Sequence, residues 1–68
     1  MVLLDAVLLM NGEHYTIKIP RGDFEEMLKS KDCKIIGKPS LTCIGDKDAK
    51  LYTIQYKKEF RILVYDAI

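Results

Sequence analysis

The chain has 68 residues, which predicts a single domain over residues 1–68 with a thin hydrophobic core. Its 11 basic and 10 acidic residues leave a formal net charge of +1, so the composition is not that of a typical basic nucleic-acid-binding domain. Two cysteines are too few for a disulfide scaffold, and no apolar run approaches the roughly 18 residues of a membrane span.

The apolar start of the chain does not have the pattern of a targeting segment. Residues 1–10 contain Asp5 and lack both the basic region and the small-residue cleavage site of a signal peptide. We therefore expect a cytoplasmic protein with no membrane segment. In that reducing compartment, Cys33 and Cys43 are expected to be reduced thiols, both of them buried.

Two apolar, alternating segments open the chain and predict a β-hairpin over residues 2–10 and 13–20. The Asn-Gly pair between them favours a type I′ turn, because both central residues of that turn need a positive φ. A two-residue turn also sets the register, which places Asp5 opposite Lys18 as an opposite-charge cross-strand pair. The alternation then gives the hairpin one strongly apolar face.

A short helix is predicted to follow the hairpin over residues 24–31. Asp23 is expected to cap its first turn, and lysines near its end suit the helix dipole. Phe24, Met27 and Leu28 fall at i, i+3 and i+4 and give the helix one apolar face. A helix of about two turns is marginal alone, so we expect it to pack on the sheet.

Four further strands are predicted over residues 33–37, 40–44, 50–56 and 60–66. Residues 45–48 have the composition of a turn. A three-residue loop over residues 57–59 is favoured between the last two strands, since it keeps their large apolar residues on one face, whereas a two-residue loop would divide them between two faces.

The predicted order is therefore β-β-α-β-β-β-β, in an α+β fold with a mostly antiparallel sheet. The pattern of strand, turn, strand, proline and helix over residues 2–31 resembles the beginning of a β-grasp, or ubiquitin-like, domain. That resemblance implies an alternative fold and no function. A second alternative is a sheet that curls into a small barrel.

Residue types that carry chemistry are scattered along the chain. His14 is the only histidine, and no nucleophile or orienting group lies near it in the sequence. The spacing of Cys33 and Cys43 matches no zinc motif, and the glycines form no phosphate-binding loop. We therefore predict a protein that is not an enzyme, with no catalytic residue, no metal site and no cofactor.

Both predicted hairpins also carry apolar residues on the face turned away from the core, among them Leu9, Leu51, Leu63 and Tyr65. One short helix cannot cover two faces, so these residues become core in a curled sheet or bind another protein. The favoured hypothesis is a small protein-binding module that acts as a regulator, inhibitor or accessory protein, with another protein or a second copy of itself as partner. Its size and its lysine- and isoleucine-rich composition resemble small proteins of phages and mobile elements.

A nucleic-acid interface is the alternative hypothesis. Lys57, Lys58 and Arg61 cluster in the sequence, and Tyr65 shares a strand face with Arg61, which is the combination of charge and aromatic platform found in single-strand binders. Residues 27–39 carry four bases and one acid and form a second basic stretch.

Overall fold

The structure is a computed structural model that describes residues 2–67 as one sheet and one helix. In chain order the elements are β1 (Leu3–Met10), β2 (Glu13–Pro20), α1 (Arg21–Lys29), β3 (Cys33–Ile35), β4 (Ser40–Ile44), β5 (Lys47–Tyr56) and β6 (Phe60–Ala67). The predicted order β-β-α-β-β-β-β is confirmed. Every strand pairing is antiparallel, as the α+β prediction requires.

The opening hairpin has the predicted turn and register. Asn11 and Gly12 both adopt a positive φ, 53° and 78°, as a type I′ turn demands. Asp5 lies opposite Lys18, and the two side chains form an ion pair. The predicted sequence of hairpin, proline and helix over residues 2–31 is therefore present.

The sheet has the order β2-β1-β6-β5-β3, with β4 also paired to β5. The first and last strands of the chain are neighbours at its centre. Within residues 2–67 the two edges, β2 and β3, do not pair with each other, so the sheet is open and the barrel alternative is wrong. The physical reason is that α1 contacts both β2 and β3 and occupies the face between them.

The edge formed by β3 and β4 is one interrupted strand. β3 pairs with residues 54–56 of β5, and β4 pairs with residues 47–51 of the same strand. Between them, Gly37 has a φ of 72°, and Pro39 has no N–H to donate to the ladder. The predicted strand over residues 33–37 therefore ends at Ile35, because the chain leaves the sheet before Gly37.

The core lies between α1 and one face of the sheet. Phe24 of α1 is 2% exposed, and its ring meets that of Tyr52 edge-on at 5.1 Å between centroids. The buried cluster consists of Leu4, Ala6, Ile19, Phe24, Ile54 and Val64. Met27 packs against this cluster as predicted, but Leu28 is 39% exposed, so the apolar face of the helix is narrower than expected.

The helix begins three residues earlier than predicted, at Arg21 instead of Phe24. Its N-cap is Pro20, which makes no side-chain capping bond, so the prediction that Asp23 caps the helix is wrong. Asp23 lies in the first turn instead, where its charge suits the helix dipole. Tertiary contacts fix this end, since the Arg21 N–H donates to the Val2 carbonyl at 2.9 Å and the Arg21 guanidinium bonds to Asp66 at 2.6 Å.

Of the two turns that border β5, the turn before it differs from the prediction and the turn after it agrees with the prediction. β5 begins at Lys47, so the turn before it is shorter than the expected residues 45–48. The three-residue loop over residues 57–59 is confirmed by the pairing of Tyr56 with Phe60. Lys57 adopts a φ of 51° there, a conformation in which such loops prefer glycine.

The first prediction concerns the single aromatic anchor of the core. Substitution Phe24→Ala is expected to lower the free energy of unfolding by about 3 kcal/mol, since it leaves a cavity beneath α1. Urea-induced unfolding followed by circular dichroism measures this change. The control Leu41→Ala, at a residue that is 79% exposed, should change the free energy by less than about 0.5 kcal/mol. Equal effects of the two substitutions would contradict the assignment of Phe24 as the anchor.

Candidate functional site

The face of the sheet opposite α1 carries all four residues predicted to bind a partner. Alternation along each strand puts the buried cluster under the helix and the neighbours of its members on the other side, where Ala49 of β5 is the one fully buried residue among residues 2–67. We call this other side the open face; its central residues are Val7, Leu9, Leu51, Thr53, Gln55, Arg61, Leu63 and Tyr65.

Three rows of side chains cross the open face from β1 through β6 to β5. The rows are Asp5–Tyr65–Leu51, Val7–Leu63–Thr53 and Leu9–Arg61–Gln55. Leu63 is therefore at the centre, with an apolar residue beside it on β1. The rows on either side of it are more polar, and only one of them contains a carboxylate, that of Asp5.

The end of β4 lies beside part of the open face, since Cys43 and Ile44 line one depression with Asp5 and Tyr65. Leu9, Leu51, Leu63 and Tyr65 are half-buried, although α1 lies on the opposite side of the sheet. Leu3, at the start of β1, is 52% exposed. A sheet face with half-buried apolar residues in each of its three rows is typical of sites that bind another molecule.

Lysines from two distant segments meet at the end of the sheet where β5 turns into β6. A shallow depression of about 470 Å³ is lined by Lys31, Asp32, Lys34, Gln55, Lys57 and Lys58. We call it the lysine hollow. The Lys57 N–H donates to the Asp32 carbonyl at 2.8 Å, so a backbone hydrogen bond joins the two segments. This meeting of residues 31–34 with residues 57–58 was not predicted from the sequence.

The residues of the predicted nucleic-acid interface do not form one cluster. Lys57 and Lys58 lie in the lysine hollow, and Arg61 lies beside it, opposite Gln55 on the open face. Tyr65 is four residues further along β6, about 13 Å from Arg61 at 3.3 Å per residue. The ring closest to the lysines in the sequence is that of Tyr56, which lies 5.5 Å from the Lys57 ammonium and stacks on Phe60.

Groups suited to catalysis or metal binding are not brought together in the described part of the chain. Over residues 2–67 there is no group of three or more His, Cys, Asp and Glu side chains that could hold a metal ion. His14 is exposed near the end of the opening hairpin. No helix among these residues has the length and apolar character needed to cross a membrane.

The two cysteines are free thiols in different environments. Cys33 is half-buried and packs against the core, whereas Cys43 is exposed on β4. The prediction that both thiols are buried is therefore wrong for Cys43. The reason is that β4 continues the edge beyond β3, and the contacts of α1 with that edge are made through β3.

This difference predicts two rates of thiol modification. Cys43, whose exposed thiol donates to the Asp48 carboxylate at 3.8 Å, is expected to react with an aromatic disulfide reagent faster than Cys33, because the sulfur of Cys33 is partly covered. Absorbance of the released thiolate measures both phases. Cys43→Ser should remove the fast phase and Cys33→Ser the slow one, and two fast phases in the folded protein would contradict the burial of Cys33.

Among residues 2–67, two side chains have a shifted pKa, and both belong to structural contacts outside the open face and the lysine hollow. The Tyr15 hydroxyl donates to the Glu13 carboxylate, which raises the pKa of Tyr15 because the phenolate would lose that bond. The hydrogen bond to Asp66 likewise raises the pKa of Arg21. Neither shift indicates a catalytic group.

Comparison with known proteins finds no matching family model, no matching curated protein and no matching solved structure. The geometry of the open face and of the lysine hollow is therefore the basis for proposing a function.

Proposed function

We propose that this chain is a small non-enzymatic protein-binding module, a regulatory, inhibitory or accessory protein, that acts through its open face. The partner seated on that face is a second copy of the chain. The observation that supports this proposal is that α1 packs on one face of the sheet, while the other presents Leu63 at its centre, beside Val7 and between rows that contain Leu9 and Leu51.

The open face has the form of half of a β-sandwich. Two antiparallel sheets pack face to face about 10 Å apart, with their strands within about 30° of each other. Val7, Leu9, Leu51 and Leu63 are half-buried and would become fully buried in such a packing. Removing their remaining apolar area from water stabilises the assembly by roughly 25 cal/mol per Å².

The distribution of charge on the open face favours a second copy in one orientation. A two-fold axis perpendicular to the strands packs Leu63 on the partner's Leu63 and brings Arg61 over the partner's Tyr65. A cation above an aromatic ring contributes about 0.5–1 kcal/mol. An axis parallel to the strands would instead stack Arg61 on the partner's Arg61, and like charges in contact are unfavourable.

The central position of Leu63 gives the first test of the proposal. Substitution Leu63→Asp is expected to weaken self-association at least about 30-fold, because a central interface residue contributes about 2 kcal/mol or more and the new carboxylate would be buried. Sedimentation velocity over a range of protein concentrations measures the dissociation constant. Leu41→Asp, on β4 and 79% exposed, introduces the same charge elsewhere and should leave self-association unchanged.

Loss of folding must be separated from loss of association in this test. Urea unfolding of the Leu63→Asp variant should show a cooperative transition, since Leu63 lies outside the buried cluster. A wild-type protein that stays monomeric at every concentration, or a Leu63→Asp variant with unchanged self-association, would rule the proposal out.

The proposed orientation is tested by cross-linking. In a background with both native cysteines replaced by serine, Leu63→Cys should be joined rapidly to its counterpart by a short bis-maleimide, because the two-fold axis passes beside it. Leu41→Cys in the same background is the matched control and should stay monomeric. Faster cross-linking of the Leu41→Cys control than of Leu63→Cys would indicate a different interface.

A cytoplasmic location also belongs to this proposal. Its support is that both Cys33 and Cys43 are free thiols, as is usual for proteins of a reducing compartment.

A further inference from the structure

We infer that the lysine hollow is a second binding site, which takes the phosphate backbone of a nucleic-acid strand. The site lies at the end of the sheet and is formed by Lys31, Lys34, Lys57 and Lys58. It is separate from the central apolar row of the open face, and the inference does not depend on self-association.

Unpaired positive charge is concentrated at the lysine hollow. Four lysines surround the hollow, and Asp32 is the only acidic residue in its lining. All four lysines are exposed, and the ion pairs formed within residues 2–67 are Lys18 with Asp5 and Arg21 with Asp66. The ammonium groups of the hollow are therefore available to an anionic ligand.

Backbone hydrogen bonds hold the segments that carry these lysines together. The Asp32 carbonyl accepts the Lys57 N–H at 2.8 Å, and Lys34 pairs with Gln55 across β3 and β5. The Asp32 N–H donates to the Ser30 hydroxyl at 3.1 Å, which orders the turn that carries Lys31. Like charges held in place repel one another, and bound phosphate relieves that repulsion.

The shape of the hollow indicates the kind of anion. An ammonium group is a compact point charge that binds phosphate. The hollow is open and has exposed lysines, so it offers no closed cage for a single ion. Its lysines come from two segments, residues 31–34 and 57–58, so the positive charge is spread along the hollow, which fits successive phosphates of a strand.

The experiment measures binding of a fluorescein-labelled single-stranded oligonucleotide by fluorescence anisotropy as a function of salt. The wild-type chain should bind at low salt with an affinity that falls as salt rises. The double variant Lys34→Gln/Lys58→Gln should reduce the slope of log K against log salt by about 1.4, at about 0.7 per lost phosphate contact.

A matched control separates a local site from net charge. The double variant Lys38→Gln/Lys47→Gln removes the same charge from two exposed lysines that do not line the hollow, and it should keep the wild-type slope. Leu63→Asp should also keep it, which distinguishes this site from the open face. Equal losses in the two lysine variants would overturn the inference, and so would the absence of binding at low salt.

Two competitors test the identity of the anion. Inorganic phosphate at millimolar concentration should leave the oligonucleotide bound at the same ionic strength, because one ion contacts few of the lysines. Polyglutamate of equal charge should compete more weakly than an unlabelled oligonucleotide. Complete displacement by phosphate would indicate a single-ion site, equal competition by polyglutamate would indicate an acidic peptide, and either result would overturn the inference.

Discussion

The helix of this protein can cover only one face of its sheet, and the rest of the structure depends on that constraint. A nine-residue helix is about 13.5 Å long, whereas five neighbouring strands at about 4.8 Å spacing extend about 19 Å. The buried residues that pack with Phe24 therefore lie on one face of the sheet. The apolar residues of the other side are left half-buried, and the interaction proposed for the open face follows from this asymmetry.

The two proposed sites meet at one pair of residues. Arg61 belongs to the open face, and Gln55, its neighbour on β5, lines the lysine hollow. In the proposed dimer the two-fold axis reverses the strand direction of one copy. The two lysine hollows would then lie at opposite ends of the assembly, where one nucleic-acid strand could contact both only by following the length of the sandwich.

Much of the fold was predictable because its signals are local. The Asn-Gly turn and the alternation of residues determine the pairing of Asp5 with Lys18, and parity determines the 57–59 loop. The start of the helix was not predictable, because the contact of Arg21 with Asp66 joins residues 45 positions apart. The lysine hollow was not predicted either, because its lysines come from two segments, residues 31–34 and 57–58, that are distant in the sequence. The residues of the open face were predicted from the sequence. Their arrangement in three rows could not be predicted, because it depends on the order of the strands in the sheet.

The central pairing of β1 with β6 has a consequence for the topology of the chain. Because these strands are antiparallel neighbours, the chain enters and leaves the sheet at the same end, side by side. That end is opposite the 57–59 loop and the lysine hollow. The two ends of the domain can therefore be joined by a short linker and the chain reopened at the exposed Gly45-Asp46 turn, which yields a circular permutant with the same strand order. Because the two ends of the domain are adjacent, the domain is also suited to insertion into a surface loop of a larger protein.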